Sequence, residues 1–381
     1  MVLGPAVGRD EPVRVVLLID ELEVRGGTEN HLLDLLSGLH RDRVAPTVIV
    51  LALAGLLPEI EAMGIPTQAL RIRRLLGPEG LRTLARLVAS FRRIRPHLVV
   101  TYHPGSDLIG PLAARAVGAR VISCRRDLGF TRTPKHRLLQ RPMNLLVHGM
   151  IGVSSAVQKV VVDVEHFPAE RIRVIPNGCD MDVYRPTEPT LRRELGIAAG
   201  DVVVGTLSNF GKIKGYDVMV PAALEVVKRW PAARFVFVGK DEAAESEMAR
   251  WQKECRPAGD RIVFAGSRRD VPHVLSSFDI FLQASHSEGF SNSILQAMAC
   301  GRPIVATDVG GNRELVDAAS GFLVPAGDRA AVVRSLGAFL EDPSRREAAS
   351  RAARERAAST FSKARMVERY EEAFEHFAFR Q

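Results

Sequence analysis

The sequence predicts an α/β protein made of two doubly wound, Rossmann-like halves that face each other across a cleft. Three observations carry this. Apolar, β-branched runs of strand length recur along the chain, VRVVLLI at 13–19 and VVVGTL at 202–207 among them. Such near-continuous runs mark parallel strands buried on both faces. The first run of each half leads into a glycine-containing loop that opens a helix, the usual place for a ligand in a doubly wound sheet. A segment marked by Pro186 and Pro189 separates the two series. At 381 residues the chain is long enough for two ordinary domains, placed at 1–185 and 186–359, with a last segment at 360–381.

In chain order, the first strand at 13–19 runs through Asp20 to Arg25 into Gly26-Gly27, and a helix follows over 30–39. Glycines there let backbone approach a ligand, and the helix start favours an anion. As a bare G-G-x-E the motif is weak. A strand at 44–53, a short helix at 56–63 and a longer one at 81–94, ending before Pro96, come next. The strand 97–101 opens into Tyr102-His103-Pro104-Gly105, and a helix covers 108–117. The strand 120–124 ends in Arg125-Arg126-Asp127. The strand 148–154 closes on Ser154, which starts another helix as its cap.

The second half opens with the strand 202–207, followed by Ser208-Asn209-Phe210-Gly211-Lys212-Ile213-Lys214-Gly215-Tyr216-Asp217. A lone Lys-Gly in a loop usually means nothing. Here strand, loop and helix come in an order that gives it a role. RFVFVG (234–239) and RIVFAG (261–266) are further strands, and Ser267-Arg268-Arg269-Asp270-Val271 is the loop after the second. The stretch 285–311, SHSEGFSNSILQAMACGRPIVATDVGG, follows a strand at 278–283. Its loop meets a helix over 294–300, which Gly301 stops before a strand at 304–306. Unpaired N–H groups and the macrodipole at that helix start suit an anion. Glu288 sits at the mouth and Gln296 two turns down the helix, so the pair could reach opposite ends of one extended ligand. The bland alternative is an ordinary strand–loop–helix unit with a solvated Glu288, and the pattern alone does not separate the two. A long Ala/Arg/Glu-rich helix at 345–359 leads into a last helical stretch at 361–379.

Composition narrows the class. With 46% hydrophobic and 25% charged residues the chain is of soluble globular type. No apolar run is long enough to span a bilayer, and MVLGPAVGRDEP is too short and acidic for a signal peptide. Cys124, Cys179, Cys255 and Cys300 show no paired spacing, which argues against a zinc site and fits a reducing cytoplasm. The net charge of +8 is concentrated at 71–141, where 16 basic residues face only Glu79, Asp107 and Asp127. RIRRLL (71–76) and FRRIRP (91–96) interleave arginine with apolar residues, which suits an anionic membrane surface, although scattered solvated arginines are the commoner meaning. Nucleic acid would attract the same charge, but no nucleic-acid-binding motif stands beside it.

The motif S-x-x-EGF-x-N-x-x-x-Q-A-M-A-x-G-x-P-I-V-A-T-x-x-G-G at 285–311 resembles the signature of retaining, nucleotide-sugar-dependent glycosyltransferases of family 4, which have the GT-B fold. Other segments agree. Val174-Ile175-Pro176-Asn177-Gly178-Cys179-Asp180 resembles the family's V-I-P-N-G-x-D. The Lys214-Gly215 loop resembles its G-R-L-x-x-x-K-G-x-D, with Asn209 where an Arg is usual and Lys212 able to restore the charge. Gln296 stands where the family carries a second Glu. Arg126 stands where relatives have a histidine facing the donor sugar. His103 either substitutes for that histidine or is a turn residue before Pro104.

The resemblance implies transfer of a sugar from a nucleoside diphosphate-sugar to a hydroxyl of a glycan or lipid-linked acceptor, with retention and without a metal or bound cofactor. Lys214 and the amides of Gly289, Phe290 and Ser291, beside Asn292, would neutralise the departing diphosphate. Glu288 would hold sugar hydroxyls and Gln296 the ribose. Gly26-Gly27 would face the diphosphate from the other half, and the Arg268 loop would hold the base, largely through its backbone. Arg126 and His103 are the remaining candidates for the chemistry. The last segment, 360–381, would cross back onto the N-terminal domain, and the enzyme would work on the inner face of the cytoplasmic membrane. A GT-B epimerase, or a nucleotide-sugar-binding protein weakened by Asn209 and Gln296, is the alternative.

Overall fold

The computed structural model describes residues 11–379 except Val24 and residues 73–76, 130–132 and 242–246. The chain divides into two compact units, Met1–Gly178 with Lys363–Gln381, and Cys179–Ser362. The expected boundaries at 185/186 and 359/360 therefore fall at 178/179 and 362/363. The reason is local. The Cys179 N–H donates to the Phe361 carbonyl (2.8 Å), Cys179 pairs with Ser362 in a parallel bridge, and the Phe361 ring packs against Phe290 of the second unit, with centroids 5.9 Å apart, so both segments go with that unit.

The first unit runs β1 (Val13–Ile19), α1 (Gly27–Gly38), β2 (Val44–Val50), α2 (Leu57–Ala62), β3 (Thr67–Ala69), α3 (Pro78–Ile94), β4 (Leu98–Thr101), α4 (Pro104–Val117), β5 (Arg120–Arg125), α5 (Pro134–Asn144), β6 (Gly149–Gly152), α6 (Ser155–Glu165) and β7 (Ile172–Val174). Its strands form one parallel sheet in the order β3-β2-β1-β4-β5-β6-β7. Val15 to Ile19 of β1 are wholly buried at its centre, as the apolar run requires. Ser154 caps α6, accepting from the Val157 N–H (3.2 Å). α1, α3 and α4 each start three or four residues before the predicted position. Their first turns carry polar residues, Gly or Pro, which suit a helix start but leave no apolar period to read.

β5 extends one residue further than predicted, to Arg125. This guanidinium is wholly buried and donates to Asp107 (2.7 Å) and Glu165 (2.9 Å), tying β5 to α4 and α6. The C-terminal helix Lys363–Phe379 packs on this unit. Tyr370 and Phe374 are buried, and Gly149 leaves the space that the Phe377 ring fills. Its buried Glu371 accepts from Arg43 and from the His40 backbone N–H, both at 2.7 Å.

The second unit runs α7 (Thr190–Glu194), β8 (Val202–Leu207), α8 (Tyr216–Arg229), β9 (Ala233–Val238), α9 (Glu247–Cys255), β10 (Ile262–Gly266), α10 (Val271–Ser276), β11 (Ile280–Gln283), α11 (Asn292–Ala299), β12 (Ile304–Thr307), α12 (Asn312–Leu315), β13 (Gly321–Val324), α13 (Arg329–Glu341) and α14 (Pro343–Thr360). Its parallel sheet has the order β10-β9-β8-β11-β12-β13, that of a dinucleotide-type Rossmann domain. The strand order reverses between β8 and β11, and loops leaving those two strands diverge around a crevice. α14 lies on α11, where Ser350 and Arg354 bind the carbonyls of Gly301 and Ala299 at the helix's C-terminal end.

Candidate active site

At the β8/β11 switch point two loops meet. After β8, residues 212–214 form a single 3-10 turn that ends on Gly215, and α8 begins at Tyr216. After β11, residues 284–291 lead into α11, with Ser291 as its cap, accepting from the Ile294 N–H (3.3 Å). Gly215 has φ +75°, and a Cβ there would lie 1.9 Å from the Ala284 carbonyl oxygen, so only glycine lets the loops come this close. The Ile213 carbonyl accepts from the His286 N–H (2.8 Å), and the His286 ring bonds Asp217 (2.9 Å).

This closure brings Lys214 to Glu288. Lys214 Nζ donates to Glu288 Oε1 at 2.8 Å, and the same oxygen accepts from Gln283 Nε2 (2.8 Å) and Ser285 Oγ (2.9 Å). The Glu288 side chain is one-tenth exposed and that of Lys214 one-third. A cation, a carboxylate and the N-terminus of α11 thus converge on the place where a doubly wound sheet binds ligands. The arrangement can hold an anionic group on Lys214 and the helix start, with hydroxyls on Glu288.

Lys214, Gly215, Glu288, Gly289, Ser291 and Asn292 are all part of this convergence. Phe290 is not available through its side chain, which is buried against Phe361 with ring centroids 5.9 Å apart. Its backbone is its only route to a ligand. Gln296 donates from Nε2 to the Tyr184 hydroxyl (3.0 Å), which places Tyr184, read from the sequence only as part of the linker, beside the expected ribose position. Asn209 accepts from the Lys240 N–H (3.3 Å), and Lys212 is exposed on the 3-10 turn. The Arg268 side chain is already engaged. Its guanidinium is taken by Glu194 (2.8 Å) and Asp270 (2.7 Å), which raise its pKa, and it lies after β10, three strands or roughly 14 Å from β11. The contact expected of this loop, largely through its backbone, does not depend on that guanidinium.

Gly26, Gly27, His103 and Arg126 lie in the first unit. Gly26 caps α1 and Gly27 is its first residue. His103 caps α4, its N–H donating to Ser106 Oγ (3.0 Å), so the turn role read before Pro104 is the one its backbone plays. The N-terminus of α4 already holds a carboxylate, because Asp20 accepts from the N–H groups of Gly105 (2.7 Å) and Ser106 (2.5 Å). Burial pushes the Asp20 pKa up. Arg126 is partly buried and donates to Asn177 of the I-P-N-G segment. Burial and the Arg126 charge together hold the His31 imidazole well below the usual histidine range.

Several contributors had no signal in the sequence: Gln283 beneath Glu288, the His286–Asp217 clasp, and Tyr184 beside Gln296. Against the expectation that the chain has no Asp-x-Asp loop, it carries that spacing at Asp180-Met181-Asp182. Asp180 Oδ1 accepts from the N–H groups of Asp182 (3.1 Å) and Val183 (3.3 Å) in a local turn. Among the described residues no group of three or more His, Cys, Asp or Glu side chains is placed to hold a metal ion.

Residues 25–183 match the family described as Glycosyltransferase Family 4, and residues 201–342 match Glycosyl transferases group 1. The first match contains Gly26, His103 and Arg126; the second contains Lys214 and Glu288. The chain belongs to the family 4/group 1 glycosyltransferases. It is 29% identical over 361 residues to the 2-deoxystreptamine N-acetyl-D-glucosaminyltransferase of Streptomyces fradiae, covering 87% of this chain and 83% of that one. It is 32% identical over 188 residues to the lipopolysaccharide core biosynthesis mannosyltransferase LpsB of Rhizobium meliloti, covering 46% of this chain and about half (53%) of that relative. Among solved structures, Anabaena Alr3699/HepE in complex with UDP superposes with a TM-score of 0.85 at 23% identity, over 95% of this chain and 100% of that one. The glycosyltransferase therefore has two Rossmann-like units of the GT-B type.

Proposed function

We propose that this glycosyltransferase moves a sugar, with retention and without a metal, from a nucleoside diphosphate-sugar to a hydroxyl of a glycan or lipid-linked acceptor. The observation that carries the reading is the Lys214–Glu288 pair at the β8/β11 switch point, beside the N-terminus of α11. Lys214 and the amides at 289–291 would neutralise the diphosphate as the bond between the anomeric carbon and the phosphate oxygen breaks. Glu288 would hold sugar hydroxyls next to the developing oxocarbenium ion. The acceptor oxygen would bond to the anomeric carbon on the face the phosphate leaves, and its proton would pass to the departing phosphate oxygen. UDP is the nucleotide this reading favours, because the Anabaena protein of like fold is a UDP complex.

A thermal-shift panel of UDP, GDP and ADP tests it. UDP should raise the melting temperature, since ligand at 100 times its Kd stabilises by about 2.7 kcal/mol. No shift with any of the three nucleotides would rule out the donor site. Gln296→Ala should then weaken UDP binding roughly 5-fold to 10-fold by calorimetry, the value of one hydrogen bond. Gln296→Glu should retain it, because a carboxylate there can accept from Tyr184 and from ribose. Unchanged affinity in the alanine variant would leave Gln296 as a support for Tyr184 only.

The lipid-linked acceptor and a peripheral membrane location rest on the first unit's surface. In α3, Arg82, Arg86 and Arg93 are exposed along one face, with Arg92 and the largely exposed Leu81 beside them, and Glu79 is the helix's only acid. α3 packs beside α4 and α4 beside α5, which exposes Leu138. Of RIRRLL, Arg71 and Ile72 are described and residues 73–76 lie outside the described set. No described helix is long and apolar enough to cross a membrane. Each arginine near an anionic surface contributes about 1 kcal/mol. The protein should therefore pellet with anionic vesicles at low salt, release as salt rises and ignore neutral vesicles. Replacing Arg82, Arg86 and Arg93 with glutamine should abolish pelleting. If the wild-type protein stays in the supernatant at low salt, a soluble acceptor becomes the better reading.

A further inference from the structure

We propose that Gln283 is the positioning residue of the donor site, its buried amide fixing the Glu288 carboxylate relative to the N-terminus of α11. The inference rests on reading Glu288 as the donor-sugar residue. Gln283 ends β11, where Ile280, Phe281 and Leu282 are all buried and apolar, and it is itself 0% exposed. A buried strand end ordinarily carries another apolar side chain, so the polar residue requires a cause.

Its contacts supply one. Nε2 donates to Glu288 Oε1 (2.8 Å) and to Ser285 Oγ (3.1 Å). Oε1 accepts from Ser291 Oγ (3.0 Å) and Ser293 Oγ (2.8 Å). Both donors and both acceptors of the amide are in use. Because a carboxylate only accepts, the nitrogen must be the end that faces Glu288, and the network itself settles which amide atom is which. Ser291 is also the cap of α11, so one planar group on the rigid strand reaches the carboxylate on one side and the helix start on the other. Glu288 Oε1 is held by three donors, which orients the whole carboxylate. A sugar bound by Glu288 and a diphosphate bound at α11 would then sit at a set separation. Displacements of about 1 Å between such elements cost on the order of 100-fold in rate.

The test compares Gln283→Met, Glu288→Ala and the double variant, using UDP as the binding probe and, as substrate, whichever of UDP-glucose and UDP-N-acetylglucosamine the wild-type enzyme turns over. Gln283→Met keeps the volume and removes every bond. It should lower kcat on the order of 10-fold to 100-fold while UDP affinity stays within about threefold. The double variant should be no slower than Glu288→Ala alone, because Gln283 acts through Glu288. Gln283→Glu is the second probe. It keeps acceptors for both serines and replaces only the nitrogen that faces Glu288, and it should also lose kcat. A Gln283→Met enzyme with wild-type kcat, or losses that multiply in the double variant, would overturn the proposal while Glu288 stays in the site. A Glu288→Ala enzyme with wild-type kcat would instead overturn the donor-site reading itself.

Discussion

Lys214→Ala is expected to lower the transfer rate roughly 100-fold to 1,000-fold, equivalent to about 3–4 kcal/mol of lost transition-state stabilisation. The charge sits in a fixed place, 2.8 Å from Glu288 and on a turn held by Gly215 and by the His286 N–H. Solvent could replace it only by reorganising as the diphosphate departs. Stability should change little. The Lys214 side chain is one-third exposed, and Glu288 keeps Gln283 and Ser285 as donors when the ammonium is removed. A partly exposed pair of this kind contributes about 1 kcal/mol or less. Steady-state rates at saturating donor, read beside thermal unfolding, separate the two effects. A variant of near-normal rate would remove Lys214 from the chemistry.

The second large effect is structural in origin. Gly310 has φ +51°, and a Cβ built on it would lie 1.5 Å from the Glu288 carbonyl oxygen and 2.7 Å from its carbonyl carbon. These are backbone atoms in a loop that also bonds through the Gly311 N–H to the Gly289 carbonyl (3.2 Å), so no side-chain rotation relieves the clash. Gly310→Ala must push the Glu288 peptide away. We expect a loss of about 3 kcal/mol in the second unit, from backbone strain and overpacking together. Activity should fall more than about 100-fold, because the Glu288 carboxylate moves with its peptide. Thermal unfolding and a donor-binding titration would read both. An alanine variant with wild-type melting and wild-type donor affinity would mean that the loop accommodates the methyl, and that Glu288 is held less firmly than its contacts indicate.

The sequence by itself determined the class of fold and most strand positions. Val13–Ile19 and Val202–Leu207 were read to the residue, because a strand buried on both faces declares itself as an unbroken apolar run. The Lys214-Gly215 loop and the Glu288 loop were legible too, since glycines that permit close approach leave a mark in the text of the chain. What escaped was of two kinds. β3 is only three residues long, and α5 and α9 carry few apolar residues among many polar ones, whereas α13 has Val332, Val333, Leu336 and Phe339 at helical spacing and was legible though not read.

The second kind was decided only by tertiary structure. That Gln283 lies beneath Glu288, that Asp20 fills the start of α4, and that carboxylates take Arg268 are consequences of which strand ends become neighbours. Sequence separation says nothing of this: Arg268 meets Glu194 74 residues away, and Asp20 meets Ser106 86 residues away. A polar side chain's role is set by the donors and acceptors the fold brings within about 3 Å of it, and that set exists only once the sheet order is in place.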